Sequence, residues 1–223
     1  MVIMPTGGLC NYLRVIFYYY QEAKEKKENL FVIWNVTNAC NGFFLDYFEP
    51  IEGITFLKDN KDNLDINYRG CDVPYYPNYK DLKLLPEIKF IINEKKSLLK
   101  DYISIHVRRT DHINLAKSHN IYTEDEKFFR WIEAYIKDKN LYIATDNLDS
   151  YNIFKNKYNE RVKFEYHEKL NGLRQTSLKD AIIDLYMCVF SKHFMGSGYS
   201  SFSATIKNLR RNMMAGNYKI NLT

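Results

Sequence analysis

The sequence predicts an α/β fold made of two Rossmann-like halves, each with parallel strands covered by helices. Short apolar runs alternate with amphipathic stretches, most regularly after residue 100, and this alternation favours parallel sheets. Glycine-rich or charged turns follow several of the apolar runs, which is typical of the edge where open α/β sheets bind ligands. We therefore expect a ligand cleft between the two halves.

The first half opens with a strand, a glycine turn and a helix. Met1–Met4 is apolar, and the turn Pro5–Gly8 leads into a helix predicted over residues 11–27. The adjacent Gly7 and Gly8 let a ligand approach the backbone and the helix N-terminus, where free N–H groups favour negative charge. Two further strands are expected at residues 30–34 and 54–57, and residues 58–82 are expected to be irregular.

The second half is predicted to alternate strand and helix throughout. The lysine-rich segment 89–100 is interpreted as the join, so the domains are placed at residues 1–98 and 99–223. Thr123–Glu126 has the form of a capping box at a helix start. The expected strands lie at residues 102–107, 141–145, 162–165 and 193–195, and the expected helices at residues 123–137, 148–157, 176–190 and 201–210.

The strand at residues 102–107 brings charged side chains to its carboxyl end. Alternation places His106 and Arg108 on one face of this strand, opposite an apolar face. Arg108 and Arg109 carry permanent charges suited to a phosphate or carboxylate, and Asp111 follows them. The segment is a candidate anion site; the alternative is a solvated loop in which the arginines and Asp111 form a local salt bridge.

Two acidic residues in later segments are further candidates. Asp146 ends the strand predicted at residues 141–145, where it either faces a ligand or, like its neighbour Asn147, caps the next helix. Asp184 lies four residues after Asp180, on the same helix face. Because its other neighbours are apolar, Asp184 is expected to have a partner.

A loop of glycines and hydroxyl side chains, Gly196–Ser203, precedes the last predicted helix. Hydroxyl groups together with free N–H groups at a helix N-terminus form a good phosphate cradle. The alternative is that Ser200 or Ser201 only caps the helix.

Composition limits the class of protein. With 46% hydrophobic and 26% charged residues, a chain of 223 residues can bury a substantial core. A net charge of +5 suits a small anionic ligand and is too weak a bias to indicate nucleic acid. The four cysteines have no paired spacing that would signal zinc or disulfides, and no apolar run approaches the length of a membrane span. We expect a soluble protein that is cytoplasmic or cytosol-facing.

Four segments together resemble the fucosyltransferase superfamily, and most of all its branch of α1,2-, α1,6- and protein O-fucosyltransferases. They occur in the order seen in that superfamily, between residue 7 and about residue 210. The segments are Gly7–Arg14, His106–Asp111, the strand ending at Asp146, and Asp184 followed by Gly196–Ser203.

The resemblance implies a compact GT-B-like fold of two facing Rossmann-like domains, with a reduced N-terminal domain on the acceptor side. It also implies an inverting transfer from GDP-fucose to a glycan or other hydroxyl acceptor, with no cofactor and no metal. Arg108 would hold the β-phosphate and stabilise the leaving GDP, with His106 and Arg109 supporting the site. Other residues would contact the donor or line the cleft: Asp146, Arg174, Asp184, Ser200, Ser201, Ser203, Gly7, Gly8, Asn11 and Arg14.

The sequence also departs from the family pattern. Cys10 stands where related enzymes have a glycine before Asn11, and residues 113–117 lack the glutamate proposed as a base in the α1,6 branch. Asp111 is the nearest carboxylate and is taken as the candidate base, ahead of His112 and Glu124. Two alternatives remain open: a catalytically inactive nucleotide-sugar-binding protein of the same fold, and a basic nucleic-acid-binding protein. The oligomeric state is not indicated.

Overall fold

A computed structural model describes residues 1–110, 113–167 and 176–216. The described strands are β1 (Val2–Pro5), β2 (Leu30–Ile33), β3 (Ile54–Leu57), β4 (Tyr68–Gly70), β5 (Tyr102–Val107), β6 (Asn140–Thr145) and β7 (Phe194–Gly196). The described α-helices are α1 (Leu9–Lys26), α2 (Pro86–Leu99), α3 (Ile113–Ser118), α4 (Asp125–Tyr135), α5 (Leu148–Tyr158), α6 (Leu178–Phe190) and α7 (Ser201–Met214). Among these, none is long and apolar enough to cross a membrane.

The chain divides into two units, one formed by residues 1–89 with the chain from residue 208 onward and the other by residues 90–207. Each unit contains one of the two described sheets, and all described strand pairs in both are parallel. The α/β class predicted from the sequence is thus confirmed. The roles predicted for residues 1–98 and 99–223, acceptor side and nucleotide-sugar binding, remain predictions.

The first unit has the strand order β3-β2-β1-β4. Its core forms because Ile3 and Val32 in the sheet, and Leu13 and Ile16 in α1, are fully buried. The order places β1 between strands that follow it in the chain on both sides. The turn after β1 therefore lies at a topological switch point, the position where such sheets bind ligands.

The second unit has the strand order β6-β5-β7, with β5 in the centre. One face of its sheet packs on α4 and α5 through a cluster of buried apolar side chains that includes Ile105, Phe128 and Phe154. The other face contacts α6, which buries Ile182, Leu185 and other apolar residues. Because helices cover both faces, the carboxyl edge of the sheet is left as the place for a ligand.

Several expected elements differ in the structure. The segment expected to be irregular contains β4, which pairs with β1 over only three residues, too few to give a readable two-residue period. The segment interpreted as a linker forms α2, which begins at Pro86, a residue well suited to the first helical position. Residues 162–165 form no strand in the structure, although Val162 belongs to the same buried apolar cluster as Leu141 and Ile143 of β6.

Candidate active site

The carboxyl ends of β5 and β7 are tied together at the edge of the second sheet. The backbone N–H of Arg108 donates to Ser197 Oγ (2.9 Å), and the N–H of Ser197 donates to the carbonyl of His106 (2.9 Å). Arg108 is half-buried, and it directly follows the central strand. The backbone of an arginine, which carries a permanent positive charge, is therefore held at the switch point of this sheet.

The side chain of Arg109 is hydrogen-bonded to residues of its own unit. Its Nη2 donates to Asp125 Oδ1 and to the carbonyl of Thr123, both at 2.7 Å, and its Nη1 donates to the carbonyl of Arg108 (3.0 Å). The guanidinium also lies 4.7 Å from the centre of the Tyr122 ring. Because only 10% of its side chain is exposed, we interpret Arg109 as an organiser of the residues around Arg108.

A pocket of about 250 Å³, counted with the space at its mouth, lies beside these arginines. It is bounded by Arg108, Arg109, Ile113, Ala116, Tyr122, Thr123, Ser197, Gly198 and Tyr199. The N–H of Gly198 donates to Thr123 Oγ1 (2.9 Å), and a Cβ atom at Gly198 would lie 1.9 Å from the carbonyl oxygen of Ile121. Only glycine therefore allows the two walls to approach this closely.

Thr123 was expected to open a capping box, and this expectation is wrong. Helix α4 begins one residue later than a Thr123 cap would place it, with Glu124 as its N-cap and no side-chain capping bond. The Thr123 hydroxyl instead accepts from Gly198, a contact 75 residues away in sequence. A tertiary hydrogen bond thus replaces the local one that the spacing suggested.

His106 of β5 contacts a serine of α7 in the interior of the second unit. His106 Nδ1 lies 2.7 Å from Ser203 Oγ, and both residues are buried. Ser200 Oγ accepts from the N–H of Ser203 (3.3 Å), so Ser200 caps α7. A cap at Ser200 was one of the two alternatives that the sequence left open. Ser201 is the first residue of α7 and is half-buried.

Asp146 joins the ends of β5 and β6. Its Oδ1 accepts from the N–H of Arg109 (3.2 Å), and its Oδ2 accepts from the hydroxyl of Thr110. The helix cap is Asn147, whose side chain accepts from the N–H of Ser150 (2.8 Å). Asn147, and not Asp146, is therefore the residue that caps α5. Asp146 instead stabilises the turn that carries Arg109.

Asp184 has polar partners, as expected for a carboxylate with apolar neighbours. Its Oδ1 accepts from the hydroxyl of Tyr142 (2.7 Å) and lies 3.0 Å from His167 Nε2, while His167 Nδ1 lies 3.1 Å from Asp180 Oδ1. Burial alone would lower the pKa of His167, but the two carboxylates outweigh burial and raise that pKa to about 10. Burial, followed by the nearby Asp184 charge, raises the pKa of Tyr142 well above its usual value of 10.0.

The first unit carries its candidate residues at the turn after β1. Gly7 has a φ of +89°, a backbone conformation that favours glycine, and a Cβ atom there would lie 2.6 Å from Nδ2 of Asn11, a side chain that would have to move. Gly8 is the N-cap of α1. Arg14 donates from Nη2 to the carbonyl of Cys71 (2.5 Å), which links α1 to the chain after β4. The predicted roles of these residues remain predictions.

Two candidates, the base Asp111 and the donor ligand Arg174, lie outside the described residues. Within the residues that are described, no cluster of three or more His, Cys, Asp or Glu side chains could hold a metal ion. Sequence reasoning missed three contributors to the site: Thr123, Tyr142 and His167; Ser197 lies in the Gly196–Ser203 loop that the sequence did single out. Only the buried Asp184 gave a signal, because it required partners that the sequence did not name.

Comparison with known proteins agrees with this geometry. A family model described as GDP-fucose protein O-fucosyltransferase matches residues 82–213, more than half of the chain. A search of curated proteins finds no match.

Solved structures of NodZ are similar to this chain in fold. The NodZ α-1,6-fucosyltransferase co-crystallised with GDP gives a TM-score of 0.65 at 15% identity. The fucosyltransferase NodZ from Bradyrhizobium gives 0.67 at 15%, and NodZ soaked with GDP-fucose gives 0.64 at 16%. Each match covers 93% of this chain and 91% of the NodZ chain, which shows a GT-B-like α/β fold. On the strength of the family match, the chain belongs to the GDP-fucose protein O-fucosyltransferase family and is a glycosyltransferase.

Proposed function

We propose that this protein transfers fucose from GDP-fucose to a hydroxyl group of a glycan or other acceptor, with inversion and without a metal ion. The observation that carries the proposal is Arg108, a permanent cation at the carboxyl end of the central strand β5, whose backbone N–H donates to Ser197 at the end of β7. The family description and the NodZ structures with GDP and GDP-fucose support the choice of donor.

The proposed chemistry needs positive potential where the leaving group departs. Breaking the bond between the sugar and the diphosphate leaves negative charge on GDP, and an enzyme without a metal must meet it with fixed cations and backbone dipoles. Arg108 supplies a guanidinium, and the N-terminus of the 14-residue helix α7 supplies free N–H groups beside Ser200 and Ser201. Both follow strands that meet at one sheet edge, which supports placing the pyrophosphate there.

The nucleotide base is assigned to Asp184. Guanine presents N1–H and N2–H donors on one edge, whereas the corresponding edge of adenine presents an acceptor at N1. A carboxylate accepts hydrogen bonds and does not donate them, so it selects guanine over adenine. The hydroxyl of Tyr142 donates to Oδ1 of this carboxylate, and Nε2 of His167 lies 3.0 Å from the same oxygen, so Asp184 already serves as a hydrogen-bond acceptor.

Inversion requires a base that takes the proton of the acceptor hydroxyl as it attacks the sugar. Asp111 is proposed for this step because it follows Arg108 by three residues and because residues 113–117 contain no acid. A catalytically inactive nucleotide-sugar-binding protein is the second candidate function, favoured by the same missing acid. Turnover decides between the two.

The test is thermal stabilisation of the purified protein by GDP, GDP-fucose, GDP-mannose, UDP-glucose and ADP-ribose. A ligand at 100 times its dissociation constant adds about 2.7 kcal/mol to the folded state, which raises the melting temperature measurably. We expect a shift with the guanosine compounds that is lost in Arg108→Ala and retained in Arg130→Ala. Arg130 is the matched control because it is an exposed arginine of α4 in the same unit.

Catalysis is tested by release of GDP from GDP-fucose in the presence of glycan acceptors. Release that depends on the acceptor and is lost in Asp111→Asn would support the transferase. A protein that binds GDP-fucose but never releases GDP would favour the inactive alternative. Absence of stabilisation by every guanosine compound would contradict the proposed donor.

A further inference from the structure

His167 bridges two carboxylates on one face of α6. Its Nδ1 lies 3.1 Å from Asp180 Oδ1, and its Nε2 lies 3.0 Å from Asp184 Oδ1. A neutral imidazole carries a single N–H, so it would face one of these carboxylates with a lone pair. Both contacts are favourable only when the ring is protonated, and the bridge is therefore an imidazolium between two anions.

The bridge is anchored from both ends. Asp180 also accepts from the hydroxyl of Ser177 (2.7 Å), and that serine caps α6, so Asp180 is fixed to the first turn of the helix. Asp184 is nearly inaccessible, with 6% of its side chain exposed, compared with 15% for His167. Lys95, whose pKa burial lowers despite these two acids, adds a second positive charge near the pair.

The contacts of Asp184 are unevenly distributed over its two oxygens. Among the described residues, the hydroxyl of Tyr142 and Nε2 of His167 both contact Oδ1. No described side chain donates a hydrogen bond to Oδ2, which has two lone pairs. Within the described part of the chain, the carboxylate is thus held by Oδ1, and Oδ2 is the oxygen that we assign to the ligand.

We propose that His167 is a positioning residue that, braced by Asp180, fixes the Asp184 carboxylate so that Oδ2 accepts hydrogen bonds from the guanine of the donor. This inference rests on the proposed function, since it assumes that the site takes a guanine nucleotide. Beyond that function, we infer that the preference for guanine depends on His167, which acts through Asp184 and need not contact the nucleotide. Without His167 the carboxylate loses one of its two contacts to Oδ1 and turns away, and the hydrogen bond to the exocyclic amino group of guanine weakens.

The test compares binding of GDP and of inosine diphosphate, which lacks that amino group, by titration calorimetry. A hydrogen bond to a charged acceptor is worth enough to give the wild type a preference for GDP of about tenfold or more. In His167→Ala we expect the preference to fall below about threefold, mainly through weaker binding of GDP. Asp180→Asn removes the negative charge of the brace but keeps an acceptor oxygen and the contact to Asp184, so its preference for GDP should be intermediate.

His193→Gln is the matched control, because His193 lies before β7 at the opposite edge of the sheet and its ring packs on Tyr135 (4.6 Å). This variant should keep the wild-type preference. If His167→Ala does not fold, His167→Gln keeps much of the side-chain volume without the positive charge, and it should also lose the preference.

Each outcome separates the inference from the proposed function. A folded His167 variant with a lower melting temperature and an unchanged ratio of the two affinities would assign a purely structural role and overturn the inference. Failure of the wild type to bind GDP would instead reject the proposed function, and the inference with it, before any variant is compared.

Discussion

His106 Nδ1 and Ser203 Oγ lie 2.7 Å apart, although 97 residues separate them in sequence. The contact ties the central strand β5 to the first turn of α7, the two elements proposed to surround the diphosphate. Ser203 is also packed tightly, since a Cβ atom at Gly196 would lie 2.4 Å from its hydroxyl oxygen.

Ser203→Ala should therefore lower the free energy of unfolding by about 1–3 kcal/mol, because a buried hydrogen bond is lost. It should also weaken binding of GDP, since the start of α7 is no longer held against β5. Urea denaturation and calorimetry measure the two effects. Ser118→Ala is the control, because Ser118 is exposed and donates to the carbonyl of Leu115 in its own helix. Equal results for both variants would show that the contact has no such role.

The sequence identified His106 and Ser203 as candidates but not the contact between them. The two-residue period correctly separated His106 from Ile105, since β5 places them on opposite faces. Both faces of the sheet are covered by helices, however, and all six residues of β5 are buried. The two-residue period of a strand distinguishes its two faces. It does not indicate which face binds a ligand and which packs on a helix.

Gly198 should not tolerate a side chain. A Cβ atom would lie 1.9 Å from the carbonyl oxygen of Ile121, and that atom belongs to the backbone, so the whole segment must shift. We expect Gly198→Ala to destabilise the protein by about 1–3 kcal/mol and to weaken binding of GDP, because the displaced turn borders the Arg108 pocket.

Gly216→Ala separates the clash from backbone strain. Gly216 has a φ of +71°, but a Cβ atom there meets nothing within 4 Å. Its substitution should cost stability and leave affinity for GDP unchanged. Loss of affinity in both variants, measured by calorimetry on folded protein, would mean that the Gly198 effect is not local.

The capping box at Thr123 and the partner of Asp184 mark the limit of reasoning from sequence. In both cases the side chain bonds to a residue that is distant in sequence, Gly198 for Thr123 and Tyr142 for Asp184. Local spacing predicts local hydrogen bonds, and it does not name a tertiary partner, even for Asp184, whose apolar neighbours indicated that one was needed. The strand ends that carry Arg108 and Asp146 were predictable because they follow from apolar runs alone.

His167 should make stability depend on pH. Its pKa is raised from 6.5 to about 10 in the folded protein, so its contribution is present in full below pH 6.5 and is lost as the pH rises through about 10. One proton bound more tightly changes the free energy of unfolding by at most about 1.4 kcal/mol per pH unit. Urea unfolding of the wild type and of His167→Gln at pH 6, 8 and 9.5 should give a difference that shrinks as the pH rises.

The comparison with His167→Gln is needed because Lys95 and Tyr142 near the same acids can also titrate at high pH. Their effects are common to both proteins and cancel in the difference to first order. A difference that is constant across this range would contradict a charged His167.

Transfer should survive removal of metal ions. In the proposed mechanism Arg108 and the N-terminus of α7 meet the charge that develops on departing GDP, and neither is affected by a chelator. We expect the rate of GDP release to be unchanged by excess EDTA, and the loss in Arg108→Ala not to be restored by Mn²⁺ or Mg²⁺. Activity that disappears with EDTA and returns with Mn²⁺ would show that a metal ion supplies the charge assigned to Arg108.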